Sequence, residues 1–121
     1  DAMPGAMPGW LGRLFGRRDA GPVWVEPGEL RDRMARGEAP LILDVRGPDE
    51  FDGPLGHIEG ARNVPLSELS GRIAEIGREA GPVVVVCLTD KRSSQAAATL
   101  AEAGMRGVAV LRGGMRAWRG A

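Results

Sequence analysis

The stretch that most restricts the fold of this chain is Pro82-Val83-Val84-Val85-Val86, which runs directly into Cys87. Four β-branched residues in succession disfavour a helix and suit a pleated strand. A strand with no polar alternation is buried on both faces, as the inner strands of parallel sheets are. The sequence on either side therefore has to alternate between strands and helical crossovers.

That alternation is present. Val23-Trp24-Val25 reads as a first strand, and Glu26-Pro27-Gly28-Glu29 opens a helix through about Arg36, with Pro27 suited to its first turn and Gly37 ending it. Leu41-Ile42-Leu43-Asp44-Val45 is a second, nearly continuous apolar strand, and Arg62-Asn63-Val64 is a brief third. Leu69, Ile73 and Ile76 recur at i, i+4 and i+7 and mark an amphipathic helix closed by Gly77 or Gly81. Ser93 to Ala103 is a helix rich in small residues (Ala96, Ala97, Ala98, Ala101), capped by Gly104. Val108-Ala109-Val110-Leu111 is a fifth strand, and Gly113-Gly114 leads to a last short helix around Met115 to Trp118. The expected fold is an α/β sandwich with a five-stranded, mainly parallel sheet flanked by helices. Ligands in such folds bind beyond the carboxyl ends of the strands, which is where Cys87 stands.

The rest of the composition narrows the function. A chain of 121 residues fits one domain, expected over residues 22–121. Sixteen basic residues balance sixteen acidic ones, so no overall field recruits nucleic acid, and any preference for anions is local. One cysteine and one histidine supply neither an internal disulfide nor a structural zinc site. No stretch approaches the roughly 20 apolar residues of a membrane span, and the N-terminus lacks the apolar run of a signal peptide. A cytoplasmic setting is the expectation. The chain begins at Asp1 rather than Met, which reads as a fragment or processed form.

Residues 1–21 stand apart, with Ala-Met-Pro-Gly occurring twice before Trp10, Leu11, Leu14 and Phe15, which are interleaved with Arg13, Arg17 and Arg18. That spacing allows one short amphipathic turn. It is read either as a linker or tail that packs loosely on the domain, or as a membrane-surface or partner-docking segment.

A lone cysteine is more often inert packing than a nucleophile. Here the loop argues the other way. Cys87-Leu88-Thr89-Asp90-Lys91-Arg92-Ser93 joins the most buried strand to a helix, so successive backbone N–H groups can converge on the sulfur while the helix N-terminus points its partial positive charge the same way. Lys91 and Arg92 add positive charge, and such surroundings favour the thiolate. Cys87 is the candidate nucleophile, and Leu88, Thr89, Asp90, Lys91, Arg92 and Ser93 form the candidate anion cradle. Ser93 has an alternative role as a helix cap. Asp44 and Arg46 lie at the carboxyl edge of the second strand. They are read either as reaching the loop, with Arg46 as a further anion-binding residue, or as a local ion pair.

At this point the chain resembles the rhodanese family of single-domain sulfurtransferases. The likeness spans about residues 23–119 and rests on several ordered motifs. They are Leu43-Asp44-Val45-Arg46, Glu50-Phe51, Gly56-His57-Ile58-Glu59-Gly60-Ala61 with Asn63-Val64-Pro65, the loop Cys87 to Ser93, and Leu111-Arg112-Gly113-Gly114-Met115 with Trp118. The resemblance implies a three-layer sandwich in which Cys87 takes a sulfane sulfur from a small anionic donor such as thiosulfate. The resulting persulfide is then passed to cyanide, a thiol or a partner protein, with no metal or cofactor required. It also implies that His57 is architectural rather than a general base, and that Met115 and Trp118 serve packing.

Two departures from the family pattern stand out. Asp90 occupies a loop position where glycine is usual. It is expected either to turn outward and pair with a basic neighbour or cap the helix, or to strain the turn and oppose an anionic donor. Asp52-Gly53-Pro54-Leu55 makes its loop two residues longer. The nearest enzyme rival is a cysteine-dependent phosphatase or arsenate reductase, which needs an arginine six positions after the cysteine. That position is Ser93, and Arg92 comes one place too early. A rival of another class is a weakly catalytic or non-catalytic docking and sulfur-relay module of a larger protein.

Overall fold

The computed structural model describes residues 22–78 and 81–120. Residues 1–21, and with them the expected amphipathic turn, lie outside the described residues. The five strands are β1 (Trp24–Val25), β2 (Leu41–Asp44), β3 (Arg62–Asn63), β4 (Val83–Val86) and β5 (Val108–Leu111), and the helices are α1 (Pro27–Ala35), α2 (Pro48–Phe51), α3 (Ile73–Gly77), α4 (Lys91–Glu102) and α5 (Gly114–Gly120). A 3-10 turn, Leu66–Arg72, leads into α3.

The sheet order is β1-β5-β4-β2-β3, and every neighbouring pair is parallel. The valine run therefore occupies the central strand, as its uninterrupted burial requires. Asp44 pairs in register with Val86 on one side and with Asn63 on the other, so the carboxyl ends of β2, β3 and β4 finish level with one another. Cys87 is the first residue past that edge.

Alternation along β4 divides the core into two layers. Val84 and Val86 join Val25, Leu30, Ile42, Ala109, Leu111, Met115 and Trp118 beneath α1 and α5. Val83 and Val85 join Leu43, Leu69, Ile76, Ala96 and Leu100 beneath α3 and α4, and Cys87 falls into this second layer by the same two-residue period. The strand periodicity thus aims the thiol at the face that α4 covers.

Each helix end has a local cause. Pro27 occupies the first turn of α1, and Gly37 leaves the helix at φ +74. Gly104, at φ +95, closes α4 in the same way. Three details differ from the sequence expectation. The four-residue helix α2 was not anticipated; it is started by Pro48 and stabilised by Glu50, whose carboxylate accepts from the Gly47 N–H at 3.1 Å. Helix α4 begins at Lys91 rather than Ser93, which leaves a tighter turn after Cys87. Only half of its small residues serve close packing, since Ala96 and Ala97 are buried while Ala98 and Ala101 face solvent.

Helix α5 is docked end-on against the cysteine loop. The Met115 N–H donates to the Cys87 carbonyl at 2.8 Å and the Arg116 N–H to the Leu88 carbonyl at 3.0 Å. These amides belong to the first turn of α5 and have no partner within the helix. The approach is so close that a Cβ on Gly114 would sit 2.2 Å from the Thr89 carbonyl oxygen and 2.3 Å from that of Cys87, at a φ of +58. Gly114→Ala is expected to destabilise the domain by about 3 kcal/mol or more, combining overpacking with backbone strain. Gly71→Ala, where a Cβ meets nothing within 4 Å, should stay within about 1 kcal/mol of the parent. Urea denaturation of both variants checks this, and equal midpoints would refute the contact.

Candidate functional site

The thiol of Cys87 lies at the carboxyl end of β4 and is 1 % exposed. Its sulfur faces the first turn of α4. The Ser93 N–H donates to Sγ, and the Ser93 hydroxyl oxygen lies at the same 3.3 Å. Ser93 is fully buried in the first turn of α4, so its hydroxyl is spent on the sulfur rather than on capping. The geometry therefore brings the thiol of Cys87, the N-terminal turn of α4 and the Ser93 hydroxyl to one point.

Leu88, Thr89 and Asp90 are partly buried along the rim, and Lys91 is exposed. Asp90 stands at the N-cap position of α4 with φ −152, which any residue adopts, so it does not strain the turn. Its side chain makes no capping hydrogen bond. The expectation that it would cap the helix is thus not met, and it forms no salt bridge among the described residues.

Arg92 does not present a bare guanidinium. Its Nη1 donates to Glu50 Oε1 at 2.7 Å and its Nη2 to Oε2 at 2.9 Å, a fork-on-fork pairing between α4 and α2. The Arg92 hydrogen bond is the main reason that the Glu50 carboxyl is held down at about 2. The same pairing raises Arg92 above its ordinary value, with smaller contributions from Cys87 and Asp44. No local sequence signal links two residues 42 positions apart. Glu50 was legible only as part of a motif, not as the partner of a loop arginine.

Arg46 is 1 % exposed and pairs with Asp44, which is equally buried. Its Nε donates to Asp44 Oδ1 at 2.9 Å and its Nη2 to Oδ2 at 2.8 Å. The remaining reach of the guanidinium goes to the backbone carbonyls of Glu50, at 3.1 Å, and Gly56, at 2.8 Å. The structure thus places Arg46 as a brace between β2, α2 and the Gly56 turn, the local ion-pair alternative, and brings it to Glu50 rather than to the loop. Asn63 completes the brace by donating to the carbonyls of Asp44 and Arg46 at 3.0 and 2.8 Å.

His57 is stacked on Phe51, with ring centroids 3.7 Å apart. Its Nδ1 lies 2.9 Å from the Phe51 carbonyl, which can only accept, so Nδ1 carries the proton. Met115 and Trp118 are buried beneath the sheet. The lengthened Asp52–Leu55 loop is tied to α5 through Arg119, whose Nε donates to the Leu55 carbonyl at 2.7 Å.

The parallel α/β domain is a fold shared with known proteins. The model of the rhodanese-like domain family matches residues 26–121, and the chain belongs to that family. It is 47 % identical over 79 residues to the uncharacterized protein YqhL of Bacillus subtilis, covering 65 % of this chain and 60 % of that one. It is 34 % identical over 87 residues to thiosulfate sulfurtransferase GlpE of Pseudomonas aeruginosa, covering 72 % of this chain and 76 % of GlpE. Among solved structures, the human single-domain sulfurtransferase TSTD1 superposes with a TM-score of 0.68 at 31 % identity, covering 83 % of this chain and 97 % of that one. The chain spans only 24 to 52 % of several other curated relatives. No helix among the described residues is long and apolar enough to cross a membrane.

Two predictions follow from the ion pairs. Arg46→Met strands Asp44 as an unpaired buried charge and should lower stability by about 3–5 kcal/mol, whereas Asp44→Leu with Arg46→Met should recover a large part of the loss. A double variant as unstable as the single one would contradict this. For Glu50, the folded carboxyl titrates below its ordinary value of 4.5. Its contribution to stability is therefore full above about 4.5 and disappears as the pH falls towards about 2. The pair is more than a third exposed, so the effect is screened and small. Denaturation midpoints of the parent and of Glu50→Gln should converge over that window; a constant gap would assign the acid sensitivity elsewhere.

Proposed function

We propose that the domain is a sulfurtransferase that carries a sulfane sulfur on Cys87. The Cys87 thiolate attacks the outer sulfur of a donor such as thiosulfate. The donor S–S bond breaks with its electron pair leaving on sulfite, and Cys87 becomes a persulfide. An acceptor (cyanide, a thiol or a partner protein) then attacks the outer sulfur of that persulfide, and Sγ leaves as the thiolate. Atoms and charge balance at each step, and no external oxidant or reductant takes part.

The observation that carries this reading is the placement of the Cys87 sulfur 3.3 Å from both the N–H and the hydroxyl of Ser93. These groups would hold the thiolate and the inner sulfur of the persulfide. The remaining amides of Leu88 to Arg92, together with Lys91, would receive the anionic donor. The sulfurtransferase relatives support the same chemistry.

The arrangement argues against phosphatase chemistry. A phosphate-gripping guanidinium would have to face the sulfur, but position 93 is a serine and both prongs of Arg92 are on Glu50. A second reading, sulfur relay within a larger protein without rapid turnover of free thiosulfate, is favoured by the partial span of several curated relatives.

Incubation with thiosulfate should add the mass of one sulfur atom to the intact chain, and Cys87→Ala should abolish the gain. Thiosulfate:cyanide transfer should fall to the uncatalysed rate in the same variant. Equal transfer rates in the two proteins would remove the catalytic claim. A mass gain with negligible cyanide turnover would select the relay reading.

A further inference from the structure

The charged side chains of the cysteine loop and the carboxylate paired with it sum to zero. Lys91 and Arg92 contribute two positive charges, and Asp90 and Glu50 two negative ones. The buried Asp44 and Arg46 cancel each other. Attraction of a donor therefore falls to Lys91, the backbone N–H groups and the helix N-terminus, whose effective charge is about half a unit. The obvious remedy, a free guanidinium on Arg92, is withheld.

The residue that withholds it is held in place from three directions. The Glu50 carboxylate accepts both prongs of Arg92 at 2.7 and 2.9 Å. Its Oε1 also accepts from the Gly47 N–H at 3.1 Å. Its backbone carbonyl accepts from the buried Arg46 at 3.1 Å. The carboxylate is fixed by Arg92 and the Gly47 N–H, and the helix that bears it by the buried Arg46, so Glu50 is not a freely rotating surface group.

We propose that Glu50 is a specificity-determining residue: by occupying both prongs of Arg92 it sets the site for sulfane donors of a single negative charge, such as persulfides and thiosulfonates, and against the dianion thiosulfate. This rests on the sulfurtransferase reading. The chemistry is the same for either donor. With a thiosulfonate the Cys87 thiolate takes the outer sulfur, and the S–S electron pair leaves on a sulfinate monoanion instead of on sulfite.

Thiosulfate and methanethiosulfonate present the same kind of outer sulfur and differ by one charge, so the ratio of their kcat/KM values reports the charge preference of the site. Both are measured on one preparation with cyanide as acceptor. The ratio is then independent of the fraction of protein that is folded, and intrinsic donor reactivity cancels between variants. Glu50→Gln removes the carboxylate partner of Arg92 and should raise the thiosulfate-to-methanethiosulfonate ratio by about fivefold, as expected for one partly exposed charge beside the site. The gain should shrink as salt is added. Arg92→Gln leaves Glu50 uncompensated and should lower the ratio, and the charge-neutral double variant E50Q/R92Q should return it to near the parent value.

A rise of less than about threefold in Glu50→Gln, or a shift of both single variants in the same direction, would overturn the proposal. The mass gain on Cys87 is read first with each donor. If neither donor loads the thiol, the sulfurtransferase reading itself falls. If both load it and the ratio does not move, only the role of Glu50 falls.

Discussion

The buried ion pair of Asp44 and Arg46 is the interaction on which the carboxyl edge of this domain depends. Both side chains are removed from water, and each would be expensive to bury alone. Their attraction offsets that only because the geometry is two-pronged and the rest of the guanidinium is satisfied by backbone carbonyls. Those carbonyls belong to α2 and to the Gly56 turn, and Asn63 ties β3 to the same corner. An apolar pair could fill the space, but it could not specify where these segments stand. The ion pair acts as a jig, and Glu50 is placed by it.

On the other side of the central strand, α5 performs the complementary task. Its first amides draw the carbonyls of Cys87 and Leu88 toward themselves, and the chain leaves the strand with these two carbonyls satisfied by α5. The Ser93 N–H is meanwhile directed at the sulfur. Gly114 permits this approach, because the helix and loop backbones meet at a distance that excludes a side chain. The cysteine is thus supported from behind by one helix terminus and faced by another.

Much of the fold was legible because short-range physics decides it. The valine run declares a buried strand that ends at Cys87, and the glycines after α1 and α4 declare their stops. Helix α2 was missed because four residues are too few to show a period, although Pro48 and Glu50 carried a start signal. The start of α4 was placed two residues late, since Ser93 resembles a cap and only the folded chain shows its hydroxyl turned to sulfur.

The sequence by itself determined the parallel α/β architecture, the place of Cys87 at a strand end and the short loop that follows it, since strand burial, helix stops and loop length are all read within a few residues. The tertiary structure alone decided the electrostatics of the site. Whether Arg46 would face the loop or pair with Asp44 depends on how the segment through Gly56 folds back over it, whether Arg92 would stand free or be bound depends on a residue distant in the chain, and charge–charge energies depend on separations that only folding sets. Glu50 and Arg92, 42 positions apart, meet because two helices are brought to the same corner of the sheet.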